Sequence, residues 1–435
     1  MKTEKQISRF SRDQIVIITI LAMTQFTVVL DFMVMSPMGD LLMKSMHLTT
    51  KQFGVAVSGY AFSAGISGFL TAGFADRFDR KNLLLFFYIG FIAGTLLCGL
   101  AHTYPMLAFA RIVTGIFGGV IGSISMAIVA DLFPIEKRGR VMGFMQMGFG
   151  ASQVLGVPIS LSLAKYGGWQ SPFLMIVGLG SLIWITALIK LKPIDRHLLS
   201  PTDNNPLQHL WKTIQNKEYR IGYLATALLA MGGYMMMPWG SSFSINNLHI
   251  SQFQFIEVYL VSGMASLLLM PMIGNLSDRI DKFLLFSLAS AWMIIMVLIY
   301  TNLTPVPFWL LLSINIFFMV GIFGRMVPSM ALVTGLPQMH DRGAFMSVNA
   351  SLQQLSGGFA AVAGGLIVIQ KTNTSPLEHY NILGIVNVCV TLVSVFLVSR
   401  VNVVVKNRKK TAQLAEQQTD LDASSIFEEL GEPGF

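Results

Sequence analysis

An apolar run of about twenty residues bounded by charge is too long for most soluble helices, and this chain repeats such a run about a dozen times. Ile15 to Met35 and Leu83 to Leu100 are clear instances. As a helix, each is long enough to cross a hydrocarbon core of roughly 30 Å. Composition excludes a soluble alternative, because 53% of the 435 residues are hydrophobic and 12% are Asp, Glu, Lys or Arg, too few charges to clothe a soluble body. The first run follows a basic lead of Lys2, Lys5, Arg9 and Arg12. It outlasts the core of a cleavable leader, so it reads as the first membrane helix.

The apolar runs place spans near 14–36, 53–74, 83–101, 105–130, 139–163, 171–190, 219–243, 253–275, 283–301, 306–334, 343–369 and 379–401. This is the pattern of an all-α membrane protein with twelve transmembrane helices. Its charges fall to one side. If the N-terminus is cytoplasmic, the outer loops hold only Lys44, Lys51, Lys165 and Lys371, while Arg111 and Arg325 lie within spans. The other 24 of the 30 Lys and Arg fall in inner segments. That bias puts both termini in the cytoplasm of a plasma membrane, the inner membrane if the source is a bacterium. The net charge of +8 therefore reports topology, and nucleic acid is not an expected partner. Cys98 and Cys389 sit inside spans, where neither a disulfide nor a thiolate metal site is expected. No cofactor or metal is implied.

A shift of 202 residues brings the chain onto itself. It sets His47 on His249, Gln52 on Gln254, Phe53 on Phe255, Asp76 on Asp278, Arg77 on Arg279 and Asp79 on Asp281. With one inserted residue Pro134 meets Pro337, and with two Arg138-Gly139 meets Arg342-Gly343. Ordered matches at equivalent loops indicate duplication, a common plan in transporters. The expected division is an N-terminal six-helix bundle over 1–191, a polar linker over 192–218 carrying Pro193, Pro201 and Pro206, a C-terminal bundle over 219–401 and a tail over 402–435. The tail turns from basic at Lys406 to Lys410 to acidic at Glu428-Glu429, a composition expected to stay solvated and mobile.

After the second span the chain reads Gly73-Phe74-Ala75-Asp76-Arg77-Phe78-Asp79-Arg80-Lys81. This loop resembles the signature loop of the major facilitator superfamily, although Asp79 stands where a second Gly is usual. A degenerate copy occurs at Gly274 to Lys282, and Glu136-Lys137-Arg138-Gly139-Arg140 fits the loop between the fourth and fifth helices. The resemblance implies two pseudo-symmetric six-helix bundles rocking about a central cavity. It also implies a conformational latch at Gly73, Asp76, Arg77 and Arg80, with Asp131 at the end of the fourth helix as an added partner.

Charges inside spans need a cavity or a partner, because each costs roughly 2.5–3.5 kcal/mol to insert. Asp31 lies five residues before the outer end of its span near Ser36, and Arg111 lies seven after Tyr104. Both are then roughly 8–10 Å deep, close enough in level to meet. For such a carboxylate, desolvation favours the neutral form and the guanidinium the ionised form, so a change of access loads or releases a proton. Arg111-Ile112-Val113-Thr114-Gly115 and Leu30-Asp31 resemble the fourth-helix arginine and first-helix acid of the twelve-helix drug/proton antiporters within that superfamily. At the 202 shift their positions hold Gly233 and Ser313, which leaves proton coupling to the first half.

The resemblance assigns Gln25, Gln146, Gln153, Asn315, Asn349, Gln353 and Gln354 to helices that line the cavity. Tyr60, Tyr234 and Trp239 offer an adaptable apolar wall, and Arg325, deep in the tenth helix, either meets an anionic group of the substrate or of the protein or snorkels. Gly148, Gly150, Gly156 and Pro158 give the fifth helix a face for close packing and bending. They match only part of the exporters' Gly-Pro signature. The reading is a monomeric secondary active transporter, with protons, a small-molecule substrate and the lipid bilayer as its partners. It exports small amphipathic molecules by proton-coupled alternating access. The alternative is a proton symporter or facilitator for a nutrient or metabolite. No phosphate loop, nucleophile motif or metal cluster points to an enzyme.

Overall fold

The computed structural model describes residues 10–71, 75–195, 206–338, 341–372 and 374–430, with side chains as far as Arg408. Among the described residues, twelve helical passes form two bundles. In the first bundle, α1 (Arg12–Val34) leads through a short α2 (Gly39–Met46) to α3 (Thr50–Thr71), α4 (Arg80–Gly99) and α5 (Tyr104–Leu132). The fifth pass comprises α6 (Ile135–Ala151), a π-helical turn (Ser152–Gly156) and α7 (Val157–Gly167), and α8 (Ser171–Lys190) completes the bundle. A linker helix α9 (Pro206–Gln215) leads to the second bundle. Its passes are α10 (Lys217–Met236) with α11 (Gly240–Ser242) and a π turn (Phe243–Asn247), then α12 (Gln252–Arg279), α13 (Lys282–Thr301), α14 (Phe308–Val333), α15 (Arg342–Ile367) and α16 (Tyr380–Leu430). The face carrying α9 and the start of α1 is termed the linker face, and its opposite the distal face.

Among the described residues, ten helices are long and apolar enough to cross a membrane. The fifth pass falls outside that set because it is broken. Pro158 has no N–H to give, and the ladder widens into the π turn just before it. Ser152 reinforces the break, its hydroxyl reaching the carbonyls of Gly148 and Phe26 at 2.9 Å each. The eleventh pass, α15, is intact but diluted by Ser, Asn, Gln and Gly. It packs along α3 of the other bundle instead of facing lipid on all sides.

The glycines of the fifth pass divide their work. A Cβ on Gly148 would meet the Ala22 carbonyl at 2.5 Å, and one on Gly156 would meet Leu30 at 2.6 Å, so both allow close approach to α1 in the same bundle. Gly150 instead faces Leu267 of α12 in the other bundle.

The 202-residue repeat is visible in backbone detail. His47 and His249 both adopt left-handed φ, at 53° and 56°. Just beyond them, the Thr49 and Ser251 N–H groups donate to the side chains of Gln52 and Gln254, each at 2.9 Å. Asp79 and Asp281 cap α4 and α13 with nearly the same angles, φ −55° and ψ 127° against φ −54° and ψ 123°. Asp79 therefore replaces the usual loop glycine without needing a left-handed turn. Its carboxylate takes the N–H of Asn82 at 2.8 Å and of Ile194 at 2.6 Å, joining the loop to the end of α8.

Two segments outside the bundles differ from expectation. The linker is a docked helix as well as a connection. Pro206 opens α9, where its fixed φ is tolerated, and Leu210 is buried with Tyr219, Tyr223 and Phe345. The tail continues α16 as helix to Leu430, because residues 409–430 are rich in Ala, Leu, Gln and Glu and contain no Gly or Pro. Its first turns dock on the linker face: Lys406 pairs with Asp281 at 2.7 Å, and Arg408 reaches Glu218 and the Leu336 carbonyl.

Gly148→Ala is expected to lower the melting temperature of the detergent-solubilised protein by overpacking against α1, at a cost of about 1–3 kcal/mol. Gly143→Ala, in the same helix with open space around it, is expected to leave it unchanged or slightly raised. The Lys406 ammonium and the N–H of Leu284 hold the Asp281 carboxyl below the usual carboxylate range. A group whose folded value is depressed gives stability above its unfolded value and loses it as pH falls through the folded one. Acidification through the carboxylate range is therefore expected to release the start of the α16 extension, seen as faster proteolysis after Arg408. Lys406→Met should flatten that dependence.

Candidate functional site

Asp31 lies three residues before the end of α1 and Arg111 one to two turns into α5. α1 ends at the distal face and the antiparallel α5 begins there, which brings them to one level. Arg111 Nη1 donates to Asp31 Oδ2 at 2.7 Å, and both side chains are completely enclosed. The second carboxylate oxygen accepts from the Thr95 hydroxyl of α4 at 3.2 Å. Three helices thus meet on one carboxylate, and small residues allow it. A Cβ on Gly94 would strike the Thr114 backbone at 2.7 Å, and one on Gly115 would strike the Tyr60 carbonyl at 2.4 Å. Tyr60, brought in from α3, lies with its ring 4.6 Å from the Arg111 guanidinium carbon.

Beyond the guanidinium is a small enclosed cavity between the bundles, lined by Phe32, Ser36, Val57, Ala61 and Arg111 from the first and by Tyr234, Met237, Pro238, Gln354, Gly357 and Ala361 from the second. Arg111 Nε and Gln354 Oε1 are buried without a hydrogen-bond partner among the described residues. Phe32 bridges the bundles, its ring 5.4 Å from Tyr60 and 5.6 Å from Tyr234. Asp31 does not line the cavity and lies one layer behind Arg111. The arrangement holds a charge pair at the wall of a space that any relative motion of the bundles must reshape.

A second ion pair ties the linker face of the first bundle. Arg80 Nε donates to Asp131 Oδ2 at 3.1 Å and its Nη1 to the Ala75 carbonyl at 3.1 Å, so the loop after α3 is bound to the end of α5. Arg77 is exposed. Gly73 and the Asp76 side chain lie outside the described residues.

The sequence from 21 to 418 matches the family model of the Major Facilitator Superfamily. The chain belongs to that superfamily. An uncharacterized MFS-type transporter of Bacillus subtilis (strain 168), YceJ, is 25% identical over 345 residues, spanning 78% of this chain and 86% of its own. Among solved structures, a D-xylose–proton symporter superposes with a TM-score of 0.73 at 16% identity, covering 87% of this chain and 97% of its own. A bacterial homolog of the human lysosomal transporter Spinster, in an inward-facing unoccupied conformation, gives 0.72 at 14% identity, with 92% and 99% covered. At these identities the structural likeness concerns the fold alone.

This major facilitator transporter spreads the remaining expected cavity residues widely. Tyr60 and Tyr234 sit at the cavity or against its wall. Gln25 is half-buried beside Gly122 of α5, and Gln153 occupies the π turn, its carbonyl near Gly263 of α12. Asn315 spends its amide on the Leu311 carbonyl of its own helix. Asn349 keeps a buried Oδ1 without a partner among the described residues. Trp239 is fully buried and packs edge-on against Phe53 at 5.7 Å. Arg325 points toward the periphery of its bundle, donating to Ser394 of α16 at 3.1 Å and lying over Phe286 of α13. Gln353 is exposed, and its neighbour Gln354 lines the cavity. The side chain of Gln146 lies outside the described residues.

Removing one member of a buried pair strands the other, at a cost of roughly 3–5 kcal/mol. Asp31→Ala and Arg111→Ala are each expected to lower thermal stability strongly. The double variant should lose much less than the sum, because it strands no charge. Additive losses in a thermal double-mutant cycle would show that the two charges are not coupled.

Proposed function

We propose that this transporter exports small amphipathic molecules in exchange for protons, by alternating access of a central site between the two bundles. The observation that carries the reading is the fully enclosed Asp31 carboxylate. It is held by Arg111 and Thr95 one layer behind the wall of the space between the bundles, a wall formed by Arg111, Phe32 and Tyr234 with Tyr60 against the guanidinium. A carboxylate whose surroundings change with rocking exchanges its proton with whichever side is open. The aromatic and methionine wall suits apolar parts of a substrate, and the unpartnered Gln354 Oε1 offers an acceptor. The Arg80–Asp131 pair braces the loop of the proposed linker-face latch, to which Gly73, Asp76 and Arg77 also belong.

The excess of Lys and Arg on the linker face supports a cytoplasmic position for that face and both termini. The proposed unit is a monomer that performs no covalent chemistry, divided into bundles over 1–191 and 219–401. The alternative is a symporter or facilitator for a nutrient or metabolite, in which the polar cavity groups Arg111 and Gln354 hold a hydrophilic solute.

In proteoliposomes under an imposed pH gradient, a panel of amphipathic dyes is expected to move against the proton flow. Asp31→Asn should abolish the driven movement while dye binding stays measurable. Driven transport left intact in Asp31→Asn would reject coupling at this residue. Movement of solute together with protons would select the symport reading.

A further inference from the structure

At the distal face the two bundles are joined by a polar cluster that no sequence motif announced. Asp40 of α2 is buried, with 1% of its surface exposed. Its Oδ2 accepts from Lys44 Nζ at 2.8 Å, one helical turn away. Its Oδ1 accepts from Asn246 Nδ2 of the second bundle at 2.6 Å. Lys44 Nζ also donates across the interface to Asn246 Oδ1 at 3.0 Å. The Ser241 hydroxyl accepts the Asp40 N–H at 3.2 Å and donates to the Ser36 carbonyl at 3.1 Å. Every polar group of the Asn246 side chain is therefore spent on the opposite bundle.

The cluster lies on the axis of the internal repeat. Lys44 and Asn246 are 202 residues apart, so each occupies the other's repeat position. Asp40 is matched by Ser242, an uncharged residue. The first bundle thus supplies both charges, and the second answers with an amide and a hydroxyl.

We propose that Asp40, Lys44, Ser241 and Asn246 form the distal gate of the transport cycle, a latch that holds the cavity closed on that face and must break for it to open there. The inference rests on the alternating-access part of the reading above and is independent of substrate, direction and proton coupling. Ser36 links the latch to the cavity: its carbonyl belongs to the cluster, and the residue lines the cavity that Arg111 also reaches. Phe53 against Trp239 and the Thr50 hydroxyl on the Val368 carbonyl at 2.9 Å close the same face beside it. When the distal ends part, the bonds from Asn246 and Ser241 are lost to water while Asp40 and Lys44 stay paired within α2. The gate opens without stranding a charge, so it can cycle.

The test places spin labels at His102→Cys and Thr304→Cys, two exposed distal-loop positions that are themselves 202 residues apart, in a Cys389→Ser background. Pulsed electron–electron resonance in lipid nanodiscs then reads the separation of the bundles. The latched protein should give mainly the short distance. Asn246→Ala removes the crossing amide and leaves the Asp40–Lys44 pair intact; it is expected to raise the ratio of long to short distances at least about tenfold, since both charge-assisted bonds of the amide are lost. Ser241→Ala, the milder change, should raise it less and carries the test if Asn246→Ala does not fold. Distance distributions that superpose on the parent in the folded variants overturn the proposal. Lost dye transport with a normal distance shift would instead count against the export reading alone.

Discussion

The buried pair of Asp31 and Arg111 constrains everything around it. An ion pair inside a membrane is stable only where its geometry is good and neighbouring groups answer the carboxylate and the guanidinium face. Here those demands fall on four helices. α1 brings the acid, α5 the guanidinium, α4 the Thr95 hydroxyl and α3 the Tyr60 ring. Such convergence needs helix axes closer than ordinary side chains allow, which accounts for Gly94 and Gly115 at the crossing points. The pair also explains why the first bundle is the polar one at this depth. Its repeat positions hold Gly233, with open space around it, and Ser313, whose hydroxyl turns back to the Trp309 carbonyl of its own helix.

The two halves therefore keep a common backbone and divide the chemistry. Left-handed histidines, glutamine caps and aspartate caps recur at 202-residue spacing because they determine where a helix begins and how a loop reverses. Buried charge does not recur. Arg325 is the deep cation of the second bundle, and it is turned toward α13 and α16, with Ser394 as a neutral partner. A guanidinium so placed braces peripheral helices and is remote from the cavity wall formed by Tyr234, Met237 and Gln354.

Much of this was legible in the chain. Span positions follow from apolar length, and the meeting of Asp31 with Arg111 follows from depth along antiparallel helices, a one-dimensional argument that needs no knowledge of neighbours. Rotation about a helix axis is harder to read. Gln353 and Gln354 differ by one residue, which turns a side chain by roughly 100°. In α15, where small and polar residues occur on every side, no apolar stripe marks which amide faces inward. Trp239 had the composition of a cavity wall, yet it packs against Phe53. The distal cluster was hidden for a different reason: Lys44 reads as an ordinary loop charge until the fold sets it against Asn246. The helical backbone of the α16 extension was not read from the chain because charge reversal along the tail spoke louder than its helix-forming composition.

The two faces show how such a protein joins its halves without locking them. Among the described residues, the ion pairs each join groups of one bundle or of its adjoining linker: Asp40 with Lys44, Arg80 with Asp131, Lys406 with Asp281. The bonds that cross between bundles have a neutral group on at least one side, such as the Asn246 amide or the Thr50 hydroxyl. Separating an ion pair in a low-dielectric interface costs far more than exchanging a charge–amide bond for water. Charges paired within a bundle keep their partners in either arrangement, so the polar contacts that a relative movement breaks are terms of about 1–3 kcal/mol each. A relative movement of the bundles therefore strands no ion pair in either arrangement, one energetic condition for two arrangements of comparable stability.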